Sequence, residues 1–159
     1  MESNQKILLE NFILEFLPTT GNQRKYSGNE LDYITRTLDI VFLQNFGFNL
    51  KKEEIAYCFF KLGYQIFYKN GVFDSNTKKT KPTNEDEGYF LTLDCYTYFN
   101  ISPRTMRQLM LTTTKLSDIT NSVKIDNTEK MKIKIEIFKS KIIYNNSVLK
   151  NTEIIKSIG

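Results

Sequence analysis

The sequence predicts an α+β fold, with three N-terminal helices packed on a small antiparallel sheet formed by the C-terminal half. Three observations carry that expectation. Apolar residues recur at helical spacing up to about Gly71, two later stretches alternate residue by residue, and a polar interval separates the two regimes. A chain of 159 residues is the size of one domain and can bury a core without staples. The expected organisation is a single domain over 1–159: an N-terminal helix and loop (1–26), a helical pair (27–71), a polar insertion (74–88) and a β-rich part (89–159).

In order, Leu8, Leu9, Phe12, Ile13 and Phe16 share one helical face and Pro18 closes the segment, so residues 4–17 read as a first helix. A polar loop follows, with Gly21 and the basic pair Arg24-Lys25. Ser27-Gly28-Asn29-Glu30 has the Ser-x-x-Glu pattern of a capping box. Behind it Leu31, Ile34, Leu38, Val41 and Phe42 form a stripe and Gly47 supplies a left-handed stop, which predicts a second helix over roughly 28–45. Asn49 is the expected cap of a third helix with Ile55, Cys58, Phe59, Leu62 and Ile66 on one face, running through Gly63 to Asn70-Gly71.

From Asp74 to Gly88 the chain is polar, with Lys78, Lys79 and Lys81 before Pro82 and the trio Glu85, Asp86, Glu87 after it. The trio lacks the alternating oxygen ligands of a calcium loop, so no metal site is expected. Between Leu91 and Ile101 the odd positions Leu91, Leu93, Cys95, Thr97, Phe99 and Ile101 fall on one face and the even positions on the other, the period of a half-buried strand. A second reading stays open, in which residues 92–110 form a sequence-specific helix-turn-helix that sets Ser102, Arg104, Thr105 and Arg107 against base edges or phosphates. Tyr96 counts against it, because it falls where the first helix of that motif needs a small residue.

Residues 105–111 fit either a strand or a short helix. Lys130 to Phe138 alternates strictly: Met131, Ile133, Ile135 and Ile137 on one side, Lys130, Lys132, Lys134 and Glu136 on the other. A lysine row on a strand can track a phosphate backbone, or can protect an exposed sheet edge. Asn145-Asn146 suits a tight turn, and 152–158 a short strand or helix.

Charge and chemistry narrow the function. Net charge is +4, and residues 103–159 hold 11 basic against 5 acidic side chains, an asymmetry that favours polyanionic partners. Histidine is absent, which removes the commonest general base and zinc ligand. Cys58 and Cys95 read as buried small hydrophobes, with a disulfide between them as the alternative. No phosphate-binding glycine loop or nucleophile elbow is present, and Asp94 and Glu136 lack a paired base. No enzyme activity, cofactor or metal is therefore expected. No apolar run is long enough to span a bilayer, and the opening residues have no basic leader, so the expected location is cytoplasmic, or the host cytoplasm or virion if the chain is viral.

One family resemblance follows from these parts. Leu50-Lys51-Lys52-Glu53 opens a helix, Lys69-Asn70-Gly71 ends it, and Leu93, Tyr96, Phe99, Ile101 and Arg104 then match the pattern Leu-x-Gly-Phe-Gly-x-Phe-x-Val-x-x-Arg at its non-glycine positions. Residues 50–104 in this respect resemble the HU and integration host factor family of DNA-bending proteins. Cys95 and Thr97 stand where that family has glycine, a polar insertion precedes the strand, and the Asn-Pro-x-Thr-Gly arm tip is missing. That tip carries the proline wedge that kinks DNA, so the resemblance points toward a subunit of a larger assembly. Richness in Lys, Asn and Ile suggests an AT-rich coding sequence of the kind found in many phages and their hosts. The expectation is a non-enzymatic, oligomeric protein that associates with double-stranded DNA or with protein partners in a nucleoprotein or virion assembly. Arg104, Arg107, Lys130, Lys132 and Lys134 are its expected contacts.

Overall fold

The computed structural model describes residues 1–21, 27–68, 71–73, 97–114, 118–119 and 121–158. Its elements are α1 (Ser3–Phe16), a 3-10 turn at Ser27–Asn29, α2 (Leu31–Phe46), α3 (Lys52–Lys61), β1 (Ile66–Tyr68), β2 (Gly71–Phe73), β3 (Tyr98–Phe99), α4 (Pro103–Thr112) and α5 (Ser122–Ile158). The described chain is mostly helical, which overturns the expected packing of three helices on a C-terminal sheet. Among the described residues, strand is limited to three short pieces in the antiparallel order β2-β1-β3, with Ile66 opposite both Phe73 and Phe99. The chain divides into two compact units, 1–113 and 114–159.

In the first unit the helical stripes form the core. Phe12 stacks on Phe16 at 4.4 Å and meets Phe42 edge-on at 5.0 Å, which joins α1 to α2 through aromatic faces. Leu9, Ile13, Ile34, Leu38, Val41 and Ile55 are fully buried around them. Gly47 takes φ +80° at the end of α2, as the sequence predicts, and its N–H donates back to Phe42 and Leu43 carbonyls.

The helix starts differ from expectation. Ser27–Asn29 forms a 3-10 turn and α2 begins at Leu31 after Glu30, whose side chain makes no capping bond. Asn49 does not cap α3. Instead the Asp39 carboxylate on α2 accepts from Asn49 Nδ2 at 3.0 Å and from the Leu50 N–H at 2.8 Å, while Glu54 accepts from the Lys51 N–H at 3.0 Å. A carboxylate accepting two bonds fixes the turn between the helices.

The third helix ends at Lys61, short of Asn70-Gly71. Gly63 is the reason: it sits at φ +83°, where the Tyr64 N–H reaches the Phe59 carbonyl. The chain then leaves as β1, with Tyr64 and Ile66 buried and Gln65 between them half-exposed.

Residues 97–101 run through this core as a short strand at Tyr98–Phe99 that bends at Asn100–Ile101, where the Ile101 N–H donates back to the Phe99 carbonyl at 2.9 Å. Thr97, Phe99 and Ile101 are buried, as the odd-numbered face read from the sequence requires, but Asn100 is buried too, so the alternation breaks at the bend. The Thr97 carbonyl accepts from the Leu31 N–H at 2.7 Å, the Phe99 carbonyl from Asn29 Nδ2 at 2.7 Å, and the Asn100 carbonyl from the Thr20 N–H at 2.8 Å. Asn100 Oδ1 accepts from the Gln65 N–H at 2.9 Å, and Phe99 stacks on Phe59 at 4.8 Å. This segment satisfies its backbone partly through helix starts and loops, which is why a two-residue strand is enough to hold it. The expected strand residues Leu91–Tyr96, the polar insertion 74–88, Asp94 and Cys95 lie outside the described residues.

In the second unit the alternating stretch 130–138 is helix, not strand. Thr128, Met131, Ile135 and Phe138 are buried, a spacing of three and four, whereas Ile133 and Ile137 are exposed. No glycine or proline interrupts Ser122–Ile158, and strand-like alternation over a few residues is outweighed by the longer helical period around it. The helix also runs straight through Asn145-Asn146, where a turn was expected, and through 152–158. The β-rich reading of 89–159 therefore fails over 103–112 and 122–158.

Candidate nucleic-acid interface

Residues 105–111, open between strand and helix in the sequence, belong to α4. Ser102 caps it by accepting from the Thr105 N–H at 3.2 Å, and Pro103 follows at the position where its missing N–H costs nothing. Met106 and Leu109 are buried and anchor the helix, while Arg104 and Arg107, one turn apart, are exposed. No acidic residue stands in the first turn of α4, where the helix dipole would favour one. Arg104 therefore adds positive charge to an end that is already positive, so this part of the surface attracts anions.

Α4 is seated by α2 and by the 3-10 turn. Gly28 lies directly on Pro103, so close that a Cβ there would stand 2.6 Å from the proline Cβ. For the helix-turn-helix reading, residues 97–101 form a two-residue strand and a bend and no helix, so within the described part of 92–110 only the second of its two helices is present.

The three expected lysine contacts are on α5, in the other unit, and do not form a row. Residues two apart on a helix differ by about 200° in direction, so Lys132 points away from Lys130 and Lys134. Lys130 pairs with Asp126 at 3.1 Å. Of the five expected contacts, the fold brings Arg104 and Arg107 together on α4 and Lys130 and Lys134, four apart, onto one face of α5, and leaves Lys132 apart from both pairs. What the sequence reading missed is the exposed pair Ile133 and Ile137, which a strand assignment turned inward.

A second concave feature lies between α1 and α3, a cleft of about 350 Å³ lined by Lys6, Glu10, Glu53, Glu54, Tyr57 and Cys58 among others. Several of its polar groups are already engaged. Lys61 Nζ meets Glu10 Oε1 at 3.1 Å, a hydrogen bond that, with the attraction of the same carboxylate, raises the lysine pKa. Glu54 holds the start of α3. Cys58 is a buried free thiol, and burial together with the nearby Glu10 pushes its pKa up to about 12, so it is not a thiolate nucleophile at neutral pH. Glu136, on α5, is an exposed partner of Lys139 at 3.3 Å. Among the described residues no cluster of His, Cys, Asp and Glu is placed to hold a metal ion, and no helix is long and apolar enough to cross a membrane.

No protein-family model matches the chain, and no curated protein or solved structure is significantly similar to it.

Proposed function

We propose that this chain is a non-enzymatic protein that associates with double-stranded DNA through its phosphates, with Arg104 and Arg107 on α4 as the principal contacts. The observation that carries the reading is the exposed arginine pair at a helix start without an acidic residue in its first turn. Arginine suits phosphate because its planar fork donates two bonds to one anion. The surplus of basic residues over 103–159 supplies the longer-range attraction. By contrast α3 carries Glu53 and Glu54 in its first turn, which repels a phosphate backbone. Contacts of this kind position a protein on a duplex without reading its sequence. The proposal includes no bending, since the proline wedge of the HU and integration host factor family has no counterpart in the sequence.

Fluorescence anisotropy with a labelled random duplex at a series of salt concentrations tests it. Binding is expected at low salt and should fall steeply as salt rises. Arg104→Ala with Arg107→Ala is expected to lower the slope of log affinity against log salt by about 2. Both side chains are exposed, so the fold should survive. No binding even at low salt would overturn the proposal.

A further inference from the structure

We propose that a second copy of this chain packs against the α5 face carrying Ile133 and Ile137, with the two α5 helices parallel and in register. The inference does not depend on DNA binding. Ile133 and Ile137 are 60% and 51% exposed and lie one turn apart, beside a shallow groove that Lys132, Glu136, Ser140 and Lys141 also line. The opposite face of the same helix, with Met131, Ile135 and Phe138, is already buried. Two large apolar side chains in water on one helix face form the nucleus of a helix–helix seam.

The flanking charges identify the occupant. In the seven-residue notation of paired helices, Ile133 falls at d and Ile137 at a. Glu129 and Glu136 then fall at g, and Lys134 and Lys141 at e. All four are exposed. In a parallel pair each g position lies beside the e position five residues further along the other helix. Glu129 therefore meets the partner's Lys134, and Glu136 the partner's Lys141, and two-fold symmetry repeats both contacts. An antiparallel pair would set glutamate near glutamate and lysine near lysine along the two flanks. The pattern is thus complementary to itself in one orientation. Glu136 at present pairs with Lys139 on its own helix, an exposed contact weak enough to exchange. Lys130 and Ser140 bound the seam at its neighbouring a and d positions, so the seam is short and association should be reversible and concentration-dependent.

Sedimentation velocity of the full chain, without nucleic acid, over a wide concentration series tests the inference. The expected result is a monomer–dimer equilibrium whose dissociation constant rises about tenfold or more in Ile137→Asp. Glu136→Lys should also weaken the dimer, and adding Lys141→Glu to it should restore association by exchanging the two signs. Ser140→Cys should yield a disulfide-linked dimer on mild oxidation that the unsubstituted chain does not. These positions are exposed, and unchanged circular dichroism would show that folding is intact. A chain that stays monomeric throughout would overturn the inference. So would a dimer indifferent to Ile137→Asp, or a double charge exchange no better than Glu136→Lys alone.

Discussion

Tyr64 and Cys58 are acidic groups held in their neutral forms inside the first unit. The Tyr64 hydroxyl donates to the Leu17 carbonyl at 2.6 Å, and burial, with a smaller contribution from Cys58, pushes its pKa from 10 up to about 12. Cys58 rises from 9 to about 12, mainly through burial. In the unfolded chain each loses its proton at its ordinary value, while the folded protein holds the proton longer. The stability they contribute is therefore complete below about pH 9 and is lost as pH rises toward 12. Urea unfolding across alkaline pH should show this decline. Tyr64→Phe is expected to cost about 1 kcal/mol at neutral pH by leaving the Leu17 carbonyl without its donor, and to flatten the profile above pH 10. An alkaline slope unchanged in that variant would show that Tyr64 does not titrate with unfolding. The same burial makes Cys58 a packing residue, as its place on an apolar stripe suggested. Thr35 and Thr37 on α2 are the exceptions to satisfied polarity among the described residues, because the buried Oγ1 of each has no hydrogen-bond partner; we find no functional account of them.

At the scale of elements, local signals were legible where one period and one stop agreed. Α1 and α2 follow their apolar stripes, and Gly47 ends α2 in the conformation its position requires. Elsewhere the signals conflicted. Gly63 read as a glycine inside α3 but is the residue that ends it. Ser27 and Glu30 have capping spacing, yet Glu30 instead pairs its backbone with Tyr98, a partner 68 positions away that no local pattern reveals. In α5 the alternation of 130–138 concealed the three- and four-residue spacing of Thr128, Met131, Ile135 and Phe138. That error hid the outward isoleucines and invented a lysine row. The two arginines stand out by charge, but their shared face is not part of the sequence reading, which leaves 105–111 open between strand and helix and does not use the Ser102-Pro103 start that marks the helix. Gly28 gives a test of how α4 is seated. An alanine Cβ there would stand 2.6 to 2.9 Å from Pro103 Cβ, Cα and O, so the backbone must shift. Gly28→Ala is expected to destabilise the protein by about 1–3 kcal/mol in chemical unfolding. A neutral substitution would mean that the 3-10 turn and α4 are not in close contact.

Across the whole molecule, the contrast is between a compact first unit, 1–113, and a second, 114–159, in which one long helix accounts for most residues. The excess of basic over acidic side chains in 103–159 covers both α4 and α5, so charge counting alone could not say which presents cations together. The fold answers for α4, where Arg104 and Arg107 are side by side and exposed. On α5 Lys130 and Lys134 share a face, but Lys130 is paired with Asp126 and Lys132 points away, and the feature that stands out is an apolar face flanked by complementary charges. The two proposals assign these surfaces separate roles, phosphate contact to one and self-association to the other. The most direct test of the central claim is a residue-resolved titration: amide ¹H–¹⁵N spectra of the full chain recorded as a short duplex is added at low salt. The account predicts that the shifts concentrate at 102–108 and disappear as salt is raised; an unchanged spectrum, or shifts confined to the cleft between α1 and α3, would contradict it.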